Sequence, residues 1–157
     1  MEEMEEIAHG LELSKVNFIW VVRVGERGMV VEGWAPQVKI LRHSSIGGFV
    51  THCGWNFVLE SIEFGVPIMA MPMHLDQPLN PRLIEEVGVG VEVKRDQTGR
   101  LHIEEIARVL KTTVVEQKNG IRIKRKAREL SEKITMKKEE EIDEVVGELV
   151  SLCGKRK

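Results

Sequence analysis

The sequence has little of several things, and each shortage narrows what the chain can be. Cysteine occurs only twice, as Cys53 and Cys153. Two thiols so far apart in sequence make neither a disulfide framework nor a zinc knuckle, and a reducing compartment, the cytosol, is the expectation. There is no basic excess: 23 Lys and Arg stand against 25 Asp and Glu, for a net charge of -2. A nucleic-acid binder carries a concentrated positive patch, so none is expected as a partner. No uninterrupted apolar run approaches the roughly 18 residues of a membrane span. The acidic start Met1-Glu2-Glu3-Met4-Glu5-Glu6 is unlike a secretory or transit leader. His9, His43, His74 and His102 are scattered without metal-ligand spacing, and no metal site is expected.

What is present is the mixture of an ordinary soluble globular protein, 42% hydrophobic and 31% charged over 157 residues, with room for one core and not comfortably for two. Helical and strand patterns alternate. Met4, Ile7, Ala8, Leu11 and Leu13 fall near helical spacing, ending around Ser14-Lys15. The short apolar run at 18–22 reads as a strand of the kind buried on both faces of a parallel sheet, and those at 29–31, 46–51, 67–71 and 90–93 read as further short strands. Between them a helical turn or two is expected at 38–41, a helix at 55–64 stopped by Gly65, and a helix at 78–87. From Ile103 a helical tail extends to about 152, in segments 103–115, 121–134 and 142–152. The charged run Lys137 to Glu141 is a solvated linker or a helix face. No internal repeat is visible. This alternation predicts an α/β fold, a Rossmann-like doubly wound parallel sheet. No G-x-G-x-x-G follows a strand, which speaks against a nicotinamide-dependent enzyme.

Ligands of such sheets bind outside the carboxyl ends of the strands, here the turn after Thr51 and the loop after Met71. At the first, His52-Cys53-Gly54-Trp55-Asn56 leads from strand to helix. Amides at a helix start, with the positive end of its dipole, can hold an anion, and His52 beside them can donate to a phosphate oxygen. Glu60, one turn beyond Asn56, can accept two hydroxyls of a ribose. The plainer reading makes Asn56 a helix cap, His52 a surface histidine and Glu60 a solvated charge. Trp34, in a loop before Ala35-Pro36-Gln37, can stack on a base or simply fill a core. Asp76-Gln77 suits sugar hydroxyls or a helix cap. Cys53 beside His52 lacks a third, orienting group, so a thiol nucleophile is not expected.

From Trp34 to Gln77, beginning WAPQVKILRHSSIGGFVTHCGWN and ending VPIMAMPMHLDQ, the chain resembles the signature box of plant family 1 UDP-sugar glycosyltransferases without insertion or deletion. The segment 78–93 and the helical tail are similar to that family too. The resemblance implies a partial C-terminal domain, residues 1–157, of the two-domain GT-B fold. It implies a UDP-sugar site in which Trp34 stacks on uracil, the Ala35 backbone bonds the base, and Gln37 and Glu60 hold the ribose. His52, Gly54, Trp55 and Asn56 would line the diphosphate and sugar, with Asp76 and Gln77 on the transferred sugar. The closing glutamine implies UDP-glucose as co-substrate, with no metal or other cofactor. The wording MPMHLDQPLN resembles the subgroup that extends the sugar of a triterpenoid or flavonoid glycoside, with inversion at the anomeric centre.

Three departures temper what the resemblance implies. The family's general-base histidine, its partner aspartate and the acceptor pocket belong to an N-terminal domain absent from these 157 residues, so no catalytic residue is expected here and the isolated chain is expected to be inactive in transfer. The family also has a strand before the first helix, and a longer connection between Val22 and Gly25. Finally, Phe57 stands where a small hydroxyl residue usually bonds the phosphate, which is expected to weaken donor binding. A non-catalytic nucleotide-binding module or a degenerate truncated paralogue is the alternative.

Overall fold

The run Pro67 to Met71 is apolar at every position, and the fold uses both sides of it. The computed structural model describes residues 2–20, 29–30, 35–73, 79–115 and 118–154. In chain order the elements are α1 (Glu2–Ser14), β1 (Ile19–Trp20), β2 (Met29–Val30), α2 (Gln37–Leu41), β3 (Phe49–Thr51), α3 (Trp55–Glu63), β4 (Ile68–Ala70), α4 (Leu79–Val87), β5 (Gly90–Glu92), α5 (Ile103–Val114) and α6 (Lys118–Gly154). β3, β4 and β5 form a parallel sheet in that order, with Phe49 opposite Ile68 and Ile68 opposite Gly90.

Because side chains alternate along a strand, β4 feeds two separate cores. Met69 and Met71 pack with Ile7 and Leu11 of α1 and with Ile106, Val109 and Leu110 of α5. Ile68 and Ala70 pack on the opposite face with Val58 of α3, Ile84 of α4 and Ala127 of α6. The two crossover helices thus lie on one face and α1 with α5 on the other, which is the doubly wound arrangement. β4 is buried at all three of its positions.

β1 and β2 form a separate parallel pair, Ile19 opposite Met29. Among the described residues no ladder joins it to β3–β5, although Phe18 and Trp20 pack against the same cluster as Met69. Positions 21, 22 and 31 of the expected strands lie outside the described residues.

The sequence-predicted break in the helical tail is not there. α6 runs unbroken for 37 residues, where two helices were expected at 121–134 and 142–152. The intervening Lys137 to Glu141 contains no glycine or proline. Lys137 reaches Glu141 at i,i+4 (3.9 Å), and Lys138 reaches back to Glu63 of α3 (3.0 Å). Good helix formers carrying such pairs propagate a helix instead of interrupting it. Gly65 does end α3, in the left-handed conformation (φ 64°) that an L side chain adopts only with strain.

Candidate functional site

The site is built where β3 gives way to α3. The chain leaves the sheet at Thr51, turns through His52-Cys53-Gly54 and enters the helix at Trp55. The left-handed residue of this turn is Cys53 (φ 66°), not Gly54, whose φ is -57° and ψ 140°. Gly54 matters for space instead. A Cβ there would come within 2.9 Å of His52 Nε2 and 3.1 Å of Phe57 Cδ2.

Asn56 does not cap the helix. The N-cap is Gly54, among the described residues no side chain bonds the first turn, and no acidic residue lies in it. Asn56 and Trp55 are exposed in that first turn. Among the described residues no side chain therefore answers the leading amides and the positive end of the helix dipole, the condition an anion site needs. Beside them the half-buried His52 ring meets Phe57 edge-on, with centroids 5.0 Å apart and planes at 71°. Phe57 in turn contacts Phe49, at 6.4 Å. Phe57 is thus a packing wall behind the imidazole, a geometry that edge-to-face aromatics favour.

Gln37 and Glu60 are brought together. Gln37 Nε2 donates to Glu60 Oε2 at 2.7 Å, joining α2 to α3 across 23 positions of sequence. A carboxylate offers about four acceptor lone pairs, so this bond leaves Glu60 able to accept hydroxyls. Gln37 N also donates to the Ala35 carbonyl at 2.8 Å, which fixes Ala35 against the start of α2. Glu60 lies about 6 Å along the helix axis from Asn56. Of the remaining sequence-predicted site residues, Trp34, Asp76 and Gln77 lie outside the described residues.

Two participants were missed by sequence reasoning. Thr51 Oγ1 accepts from Cys53 N at 3.2 Å, and Asn80 Nδ2 of α4 donates to the Cys53 carbonyl at 2.8 Å. A polar residue at the second position of α4 was a signal, but its partner lies 27 positions away. The Cys53 thiol is fully buried, and burial first, then the negative charge of Glu92, pushes its pKa up to about 12. It is not a nucleophile near neutrality. Because the folded pKa is the raised one, its contribution to stability is complete below the unfolded thiol range, about pH 8.5, and is lost as pH rises toward the folded value. In a Cys153→Ser background, Ellman's reagent is expected to label Cys53 only as fast as the chain unfolds; rapid labelling at pH 8 would contradict this burial.

Among the described residues no group of three or more His, Cys, Asp and Glu could hold a metal ion, and no helix is long and apolar enough to cross a membrane.

The family model described as UDP-glucoronosyl and UDP-glucosyl transferase matches residues 1–132. UDP-glucosyltransferase 29 of Panax ginseng is 56% identical over 173 aligned positions, covering 99% of this chain and 39% of that protein. The alignment is longer than the 157-residue chain, so that relative carries residues with no counterpart here. Beta-D-glucosyl crocetin beta-1,6-glucosyltransferase of Gardenia jasminoides is 53% identical, covering 96% of this chain and 38% of that one. Among solved structures, Phytolacca americana UGT2 complexed with UDP-2fluoro-glucose and pterostilbene superposes with a TM-score of 0.77 at 41% identity, over 83% of this chain and 33% of that one. The chain therefore spans about two fifths of these curated relatives, and its sheet is the Rossmann-like type of the GT-B glycosyltransferases. A signature box that runs without a gap, the sheet that presents it and the match over residues 1–132 agree: the chain belongs to the UDP-glucoronosyl and UDP-glucosyl transferase family, among its plant family 1 members.

Proposed function

We propose that this chain is the donor-nucleotide-binding part of an inverting glycosyltransferase of plant secondary metabolism, with UDP-glucose as donor. The observation that carries the reading is the Gln37–Glu60 hydrogen bond of 2.7 Å, set one turn behind a helix start that no side chain caps among the described residues. Glu60 accepts the ribose hydroxyls while Gln37 holds its carboxylate in place. The first amides of α3, with His52, receive the diphosphate. Trp34 on uracil and Asp76-Gln77 on the glucose complete the site, as the resemblance implies.

In the transfer, an acceptor hydroxyl attacks the anomeric carbon, and the bond from that carbon to the diphosphate oxygen breaks with its electron pair going to UDP. Charge develops on the leaving diphosphate, where preoriented amides and a helix dipole stabilise it most. Removal of the acceptor's proton is assigned to a base outside these residues. The name of the Gardenia relative, which describes a glucosyl acceptor, supports a glycoside as the molecule that is extended here.

The test is a titration of UDP-glucose and UDP into the purified chain, followed by tryptophan fluorescence and a thermal melt. Saturable quenching with a raised midpoint, both abolished in Trp34→Ala, is the expected result. A cooperatively folded chain that responds to neither ligand would defeat the reading.

One observation favours the second reading, a nucleotide-binding module without transfer. Phe57 packs against His52 where the family places a phosphate-bonding hydroxyl. Phe57→Ser is expected to tighten UDP about tenfold, the worth of one hydrogen bond to a charged group. An unchanged Kd would remove Phe57 as a handicap. Glucose transfer to a glycoside, assayed in the chain supplemented with the N-terminal part of a relative, separates the two readings.

A further inference from the structure

We propose that Asn80 is a positioning residue of the diphosphate turn, setting the orientation of the peptide between Cys53 and Gly54. The proposal rests on the donor-site reading above. Cys53 is one of two non-glycine residues with positive φ among those described, and such a conformation persists only where its surroundings over-determine it. Every hydrogen-bonding group of Cys53 is in fact held. Its N–H donates to Thr51 Oγ1 (3.2 Å), its thiol to the Thr51 carbonyl (3.7 Å), and its own carbonyl accepts from Asn80 Nδ2 (2.8 Å).

The first two bonds are local and leave the far side of the residue free to rotate. Among the described residues Asn80 alone reaches in from another element, α4. A trans peptide is planar, with its carbonyl and N–H on opposite sides, and no cis bond occurs here. By holding the Cys53 carbonyl toward α4, Asn80 turns the Gly54 N–H away from α4. Without that hold the peptide can flip and present a carbonyl dipole where an anion should meet amides, a reversal that repels phosphate. Asn80 thereby acts on the diphosphate through Cys53 and Gly54, without touching ligand itself.

The distinguishing measurement compares UDP with uridine, which shares the base and ribose and lacks the phosphates. In Asn80→Ala, and in Asn80→Leu, which keeps the branched shape and drops the donor, UDP affinity is expected to fall about tenfold while uridine affinity stays unchanged. Equal losses for both ligands, or no loss for UDP, overturn the proposal. A wild-type chain that binds neither ligand overturns the donor-site reading and this inference with it, whereas a wild-type chain that binds UDP beside unaffected variants overturns the inference alone. A readout free of ligand stands beside these. In the Cys153→Ser background, Asn80→Leu should speed Ellman labelling of Cys53 with no matching drop in melting midpoint. A labelling rate equal to that of the parent counts against the released turn.

Discussion

Glu60→Ala is expected to weaken UDP binding by about 2–3 kcal/mol, a factor of roughly 30–150 in Kd, with little change in melting midpoint. The carboxylate is half-buried at the edge of α3 and is held by the Gln37 amide, so the fold does not lean on it. Bound ribose would, because two hydroxyls lose a charged acceptor at once. Gln37→Ala should cost less, about tenfold or under, since it removes the group that orients the carboxylate and leaves the carboxylate itself. The two substitutions share one interaction, so the double variant should fall short of their sum. Isothermal titration with UDP reads all three. If Glu60→Ala bound UDP as tightly as the parent, the ribose assignment would be wrong, whatever else the chain binds.

Gly90→Ala is expected to lower stability by about 3 kcal/mol or more, at the upper end of overpacking, and the midpoint by roughly 6–12 °C for a chain of this size. A Cβ at Gly90 would sit 2.3 Å from the Ile68 carbonyl oxygen, 2.4 Å from Ile84 Cγ2 and 2.9 Å from Ile68 Cβ. The first of these is backbone in the adjacent strand, paired directly opposite, so relief requires the ladder itself to part. Alanine recovers up to about 1 kcal/mol by restricting the unfolded chain, too little to offset the clash. Gly147→Ala in α6 is the control, since nothing stands within 4 Å of its Cβ; its midpoint should not fall. Thermal melts of the two variants side by side decide the matter, and an unshifted midpoint for Gly90→Ala would mean that β5 is not packed as described.

Local pattern makes much of this molecule legible in its amino-acid order alone. Ile7 and Leu11, Val58 and Ile62, and Ile106, Val109 and Leu110 lie at helical spacing and do face cores, because an amphipathic stripe and its burial are one fact. The apolar run around Met69 announces a strand covered on both faces for the same reason. Continuity is harder to read. Charges at 137–141 fit a linker or a helix face in isolation, and the partners Glu141 and Glu63 decide for the helix face. The site divides in the same way. Its residue types can be named from the signature box, yet the Gln37–Glu60 bond depends on how α2 docks on α3, and the Asn80–Cys53 bond on how α4 follows β4. The left-handed turn falls to Cys53 although a glycine is adjacent, because tertiary hydrogen bonds override the residue preference.

The pairing of α1 with α5 carries a consequence in time. Each parallel crossover from β3 to β5 joins strands about twenty residues apart, so that part of the sheet can close as soon as it is made. Ile7 and Leu11 instead share a core with Met69 and Met71 and, close to a hundred residues further on, with Ile106 and Leu110. At about 5–20 residues per second of synthesis, α1 waits roughly 5–20 s on the ribosome for its partner. Through that interval its apolar stripe is a grip for chaperones, and proteolysis of nascent chains arrested before Ile103 should find it open.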